Sequence, residues 1–161
     1  VIPKLLTALG VENVIGINTE ATGHFAHTPE PLPENLTQIS EAIKAQKADV
    51  GFVVDPDVDR LAIINEDGSM FGEEYTLVAI ADYILTHFKG NTVSNLSSTR
   101  ALRDVTEKHG GEYTAAAVGE VNVVAQMRNV DAIIGGEGNG GVIYPTLHHF
   151  SFRWWCVIST W

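Results

Sequence analysis

The chain has 161 residues, 45% of them hydrophobic and 19% charged, which suits one compact folded domain or two small ones and excludes a disordered tail. A formal net charge of −10 argues against a duplex-binding surface, which needs lysine and arginine gathered on one face, so nucleic acid is not an expected partner. A single cysteine, Cys156, allows no intrachain disulfide, and no stretch reaches the roughly 18 apolar residues that span a bilayer; a cytoplasmic protein without membrane contact is expected.

Taken in chain order, the apolar spacing predicts alternating helices and strands. Residues 3–9 read as the end of a helix closed by Gly10, and residues 13–18 as a strand carrying Val14, Ile15 and Ile17. A connection rich in His, Pro and Gly runs from Thr19 to Pro33. Leu36, Ile39, Ala42 and Ile43 mark an amphipathic helix from Glu34 to about Lys47, which leads into the apolar run Gly51 to Val54. Leu61 to Asn65 returns as a strand, Glu66-Asp67-Gly68 turns, and Glu73 to Phe88 is a helix with Leu77, Ala81, Ile84, Leu85 and Phe88 on one stripe. The pattern restarts after Lys89-Gly90-Asn91: strand 92–96, helix 98–109, strand 112–116, helix 121–128 and strand 131–134. Such alternation predicts an α/β fold of two consecutive units, 1–89 and 90–148, with mixed, mainly parallel sheets flanked by helices. Ligands of such sheets gather beyond the carboxyl ends of the strands, and both chemically unusual loops of the chain lie there.

The first loop is DPDVDR, residues 55–60. Asp55, Asp57 and Asp59 at alternate positions can turn toward one point, where like charges repel unless a hard cation such as Mg²⁺ sits among them. An acidic surface turn is the plainer alternative, but Arg60 beside the carboxylates suits a phosphate-handling site better than a solvated turn. An EF-hand is disfavoured: Glu66 fits its twelfth position, yet Arg60 stands where glycine is needed, and the flanks GFVV and LAII are strands and not helices. An aspartate-nucleophile phosphatase using Asp55 and Asp57 ranks second, because Asp59 replaces its usual hydroxyl or apolar residue.

The second loop, GGEGNGG at 135–141, fits neither the dinucleotide fingerprint nor the P-loop. It reads either as a glycine-rich hairpin or as a ligand loop in which Glu137 and Asn139 grip adjacent sugar hydroxyls while glycines let the backbone approach.

Four ordered segments resemble the α-D-phosphohexomutase family, whose members move a phosphoryl group between the sixth and first carbons of a hexose. They are GHFAHTPEPLPENL (23–36), ADVGFVVDPDVDRLAIINEDG (48–68), VGEVNVV (118–124) and GGEGNGGVIYP (135–145), and the resemblance runs from about Val1 to His148. It implies most of the second and third domains of such an enzyme, phosphoglucosamine mutase or phosphomannomutase in kind. By it, Asp55, Asp57 and Asp59 would ligate Mg²⁺, Arg60 would sit beside the reacting phosphoryl group, and Glu137 and Asn139 would read the sugar. Many members read the sugar loop Glu-x-Ser-Gly-His, so Asn139 and Gly141 are departures, leaning toward glucosamine or mannose phosphates. Glu120 stands where many relatives carry a histidine, and either serves as a general base or caps the following helix.

The resemblance further implies a phosphoserine that gives its phosphoryl group to the phosphosugar substrate, forming a bisphosphate, and is then rephosphorylated from the other end. That serine belongs to a first domain, and a phosphate clamp to a fourth; neither motif is found in this chain, which is therefore expected to be a fragment inactive alone. Ser69, Ser97 and Ser98 read as turn and cap residues. The alternative function is a non-catalytic Mg²⁺ and phosphosugar binding module. From His149 the chain departs into HFSFRWWCVISTW, expected to be an out-of-frame or truncated end and, if exposed, an aggregation hazard; an oligomerisation patch is the other reading.

Overall fold

The structure, a computed structural model, describes residues 2–20, 24, 28, 30, 32–55 and 60–147. The aromatic tail lies outside them. Among the described residues, no helix is long and apolar enough to cross a membrane.

Helix α1 (Ile2–Ala8) closes with two hydrogen bonds, Val11 N–H to Leu6 C=O at 3.0 Å and Gly10 N–H to Thr7 C=O at 3.0 Å, the pairing that satisfies the last carbonyls of a helix. The strand expected over 13–18 is not formed. A strand needs a neighbour for its backbone groups, and among the described residues β1 (Val50–Val54) pairs only with β2 (Leu61–Asn65). That pair is antiparallel, with Val50 opposite Asn65 and Val54 opposite Leu61, so the DPDVDR loop joins a hairpin and does not precede a crossover. Helix α2 (Thr37–Gln46), introduced by a 3-10 turn at Pro33–Asn35, covers one face of it. Leu36 and Ile43 meet Ala62 and Ile64, the inward residues of β2. Gly51 makes this approach possible, because a Cβ there would lie 2.6 Å from Ile43 Cδ1 and 3.0 Å from Ile39 Cδ1.

The second unit is a four-stranded sheet in the order β4-β3-β5-β6, from β3 (Asn91–Asn95), β4 (Tyr113–Ala116), β5 (Ala132–Gly136) and β6 (Val142–Ile143). β3 runs parallel to both β4 and β5; β6 is antiparallel to β5. The short strand β6 escaped the sequence reading, since two residues carry no period. Helices α3 (Glu73–His87) and α4 (Ala101–Lys108) pack on one face through Leu77, Ala81, Leu85, Leu102, Ile134 and Val142. On the other face, α5 (Glu120–Asn129) buries Val123 and Met127 against Val93, Ala116 and Ile143. The result is a three-layer α/β/α sandwich.

Helix α3 corrects the expected boundary at 89/90. Its buried residues belong to the core of the second unit, so the apolar clusters divide between Met70 and Leu77. Phe88 also leaves the predicted stripe: it lies one residue past the helix, in extended conformation, and is exposed. Across α3 and α4, Asp82 Oδ1 takes His109 Nε2 at 2.7 Å and Lys108 Nζ at 3.2 Å. His109 and Lys108 together hold the Asp82 carboxyl below its usual range.

A fully buried hydroxyl pair pins α4 to β3. Thr106 Oγ1 donates to Leu102 C=O at 2.6 Å, so the 2.6 Å contact between Thr92 and Thr106 has Thr92 as donor. Replacing Thr106 by Val is expected to orphan the Thr92 hydroxyl and cost about 1–3 kcal/mol in urea unfolding. The double variant Thr92→Val/Thr106→Val should recover most of that loss; additive losses would show that the pair is not coupled.

Candidate functional site

From β3 the chain crosses through α4 to β4 on one side, and from β4 it returns through α5 to β5 on the other side. Connections therefore leave the sheet in opposite directions on either side of β3, which opens a crevice beyond the carboxyl ends of β3 and β5. Asn95 ends β3, and Glu137 follows directly on β5. Their side chains meet there, Asn95 Nδ2 donating to Glu137 Oε1 at 2.6 Å. Gly119, in the loop after β4, adds its N–H to the same oxygen at 3.1 Å. Glu137 is thus held from all three parallel strands.

The GGEGNGG segment contains a tight hairpin loop joining β5 to β6 and forms part of the wall of a small recess. Glu137 N–H donates to Gly141 C=O at 3.0 Å, and Gly141 N–H to Asn139 Oδ1 at 3.1 Å. Asn139 Nδ2 donates to Glu137 Oε2 at 3.4 Å. Glu120, Glu137 and Asn139 all line the recess. Glu120 does not cap α5: Gly119 holds the cap position and Glu120 opens the first turn, where a carboxylate suits the helix dipole.

On the acidic loop, Asp55 is only 5% exposed. Its Oδ1 accepts Arg60 N–H at 3.2 Å, and Arg60 Nε lies 3.7 Å from Oδ2. Asp57 and Asp59 lie outside the described residues. Asp55 contributes one buried carboxylate at a strand end, a hard oxygen donor of the kind Mg²⁺ takes, and among the described residues no group of three or more His, Cys, Asp or Glu side chains is placed to hold a metal.

The two loops are joined at Leu61, the residue after Arg60. Its N–H donates to Gly140 C=O at 3.3 Å, and its own carbonyl accepts Thr76 Oγ1 at 3.4 Å. Asp55, Arg60, Glu120, Glu137 and Asn139 consequently belong to one neighbourhood. Asn95 and Gly119 were missed from sequence, where Asn95 was read as mid-strand. A signal existed: a polar residue ending a central strand and followed by Ser97-Ser98, whose hydroxyls donate to Asn95 Oδ1 at 3.0 and 2.7 Å.

Residues 1–68 match the family description "Phosphoglucomutase/phosphomannomutase, alpha/beta/alpha domain II", and residues 72–151 match alpha/beta/alpha domain III of the same family. The chain belongs to the phosphoglucomutase/phosphomannomutase family. It is 36% identical over 146 residues to a phosphoglucomutase/phosphomannomutase of Thermococcus kodakarensis, covering 89% of this chain and 32% of that protein. A Methanopyrus kandleri protein named as a probable phosphoglucosamine mutase is 35% identical over 150 residues, covering 92% of the chain and 33% of the relative. Among solved structures, a phosphoglucomutase/phosphomannomutase family protein from Burkholderia thailandensis superposes with a TM-score of 0.70 at 30% identity, over 76% of this chain and 27% of that one. The chain therefore spans about one third of the length of the curated relatives it matches. Both family segments fall on either side of residues 69–71, where the apolar clusters also divide.

Gly140 carries the junction between the loops. Its φ is +93°, and a Cβ would lie 2.6 Å from the Leu61 carbonyl oxygen. Gly140→Ala is expected to cost about 1–3 kcal/mol of stability in urea unfolding through backbone strain and that clash. A stability within experimental error of wild type would show that the loops are not tied there.

Proposed function

We propose that this chain forms the metal-binding and sugar-reading part of a phosphohexomutase, an isomerase that interconverts hexose 6-phosphate and hexose 1-phosphate by way of a phosphoserine. The observation that carries the reading is the Leu61 to Gly140 hydrogen bond, which sets the acidic loop beside the Glu137 loop. A phosphosugar spanning both would present its phosphoryl group to the first and its ring hydroxyls to the second.

In this reading Asp55, Asp57 and Asp59 hold Mg²⁺. The ion supplies Lewis-acid neutralisation of charge on a transferring phosphoryl group. Arg60, anchored to Asp55, places a fixed cation beside the same oxygens. Glu137 and Asn139 accept and donate to sugar hydroxyls, and Glu120, which lines the same recess, takes a hydroxyl proton as general base. The substrate class is glucosamine or mannose phosphates, supported by Asn139 and Gly141 in the sugar loop and by the relatives named above. The enzyme would work in the cytoplasm.

The phosphoserine would come from a domain other than the two formed here. Ser97 and Ser98 spend their hydroxyls on Asn95, and Ser69 accepts Asn65 Nδ2 at 3.0 Å in a surface turn. Among the described residues, Ser97 and Ser98 are bonded to an amide and not to a base, and Ser69 meets the Asp67 carboxylate only in an exposed turn. The 161-residue chain is accordingly a binding unit without turnover of its own.

Isothermal titration with Mg²⁺ should give saturable binding that weakens by about tenfold or more in Asp57→Ala, since a direct ligand is lost. Equal heats from the two proteins would refute the metal site. In a coupled assay with hexose 1-phosphates the chain alone should show no isomerisation, and measurable turnover would mean that the nucleophile has been misplaced.

A further inference from the structure

We propose that Asn95 is the positioning residue of the sugar-reading carboxylate: it fixes Glu137 in one rotamer with Oε2 turned to the recess. This rests on the reading of Glu137 as a hydroxyl acceptor.

The argument begins with the amide's own orientation. Asn95 is 3% exposed, so each of its polar atoms needs a partner within the protein. Oδ1 accepts two hydroxyls, from Ser97 at 3.0 Å and Ser98 at 2.7 Å, which uses both lone pairs of the carbonyl. Turned the other way, the amide would set its oxygen against the Glu137 carboxylate, acceptor against acceptor. The serines therefore force Nδ2 toward Glu137, and the 2.6 Å bond follows.

The effect on Glu137 is directional. Oε1 receives Asn95 Nδ2 and the Gly119 N–H at 3.1 Å, one donor at the end of β3 and the other at the N-cap of α5. Among the described residues, Oε2 receives only Asn139 Nδ2 at the longer distance of 3.4 Å. One oxygen is thereby committed to the scaffold, while the other keeps acceptor capacity on the recess side. A side chain held by donors on rigid elements loses little freedom when a hydroxyl binds, which is how preorganisation raises affinity. Asn95 itself lies behind the carboxylate and acts through it.

The isosteric variant Asn95→Asp keeps the serine bonds and sets a second carboxylate against Oε1, so Glu137 must swing away. Two probes are titrated by NMR into the 161-residue chain: α-D-mannose 1-phosphate, and inorganic phosphate, which has no hydroxyl-bearing ring. Wild type is compared with Asn95→Asp, Asn95→Ala and Glu137→Gln. The expected result is a loss of about tenfold in affinity for the sugar phosphate in all three variants, with phosphate binding unchanged. If Glu137→Gln weakens the sugar phosphate but the Asn95 variants bind like wild type, the positioning role is wrong and the sugar reading stands. If wild type does not bind the sugar phosphate, or Glu137→Gln binds it normally, the sugar reading falls and the inference with it. Equal weakening of both probes in the Asn95 variants would mark a merely structural role and overturn the proposal. Should those variants not fold, the wild-type Asn95 side-chain amide signals decide: they shift with α-D-mannose 1-phosphate and not with phosphate, and unmoved signals overturn it.

Discussion

Leu61 is a residue of the first unit hydrogen-bonded at both ends by the second: Gly140 takes its N–H, and Thr76 gives its hydroxyl to its carbonyl. Neither bond is strong by itself, each contributing about 1 kcal/mol net. Their importance is geometric. Leu61 follows Arg60 and opens β2, while Gly140 lies three residues beyond Glu137, so a short span of backbone sets the distance between the acidic loop and the recess. A Cβ at Gly140 would collide with Leu61 backbone atoms, and that leaves glycine as the residue through which the two units can touch this closely.

Charge then decides what such a cleft can accept. The chain carries a net charge of −10, Glu120 and Glu137 line one recess, and Asp55 stands on the loop tied to it through Leu61. A phosphorylated sugar is itself an anion and would be repelled from three carboxylates without a counter-charge. Arg60 supplies one cation, but it is already paired with Asp55. A divalent ion on the aspartate loop would reverse the sign of the local field for a phosphate bound there, so the metal proposal and the substrate proposal support each other. The recess, by contrast, is suited to the neutral hydroxyl-bearing part of such a ligand, because carboxylate and amide oxygens accept from hydroxyls without needing charge.

Long-period features of this architecture were legible in the residues. The helices over Thr37–Gln46 and Glu73–His87 and the strands at Leu61–Asn65 and Tyr113–Ala116 follow their apolar spacing, and their order implies strand ends that carry the loops. What failed depended on partners. Residues 13–18 have a strand's composition but no pairing neighbour among the described residues, and composition alone does not hydrogen-bond a backbone. Helix α3 follows the first unit in sequence without a long linker, yet Leu77, Ala81 and Leu85 find their apolar surface on α4 and β5. Amphipathicity says that a helix face will be buried; it does not say against what. Glu137 was legible because glycines surround it, whereas Asn95 was not, since a strand-terminal asparagine looks like any loop boundary until Glu137 is seen beside it.

Asn139 shows how a departure from a family pattern can be read physically. Where many members carry serine, the asparagine supplies an acceptor to the Gly141 N–H and a donor to Glu137 Oε2, so it folds the hairpin and steers the carboxylate at once. An amide with both ends engaged inside the loop is less available to a ligand than a terminal hydroxyl would be. Gly136 sets how closely the hairpin closes, because a Cβ there would stand 2.1 Å from the Gly141 carbonyl oxygen. The asparagine therefore tightens the loop around Glu137. Within the proposed sugar-reading role, Glu137 would then be the more available acceptor of the two, its Oε2 carrying only the 3.4 Å contact to Asn139.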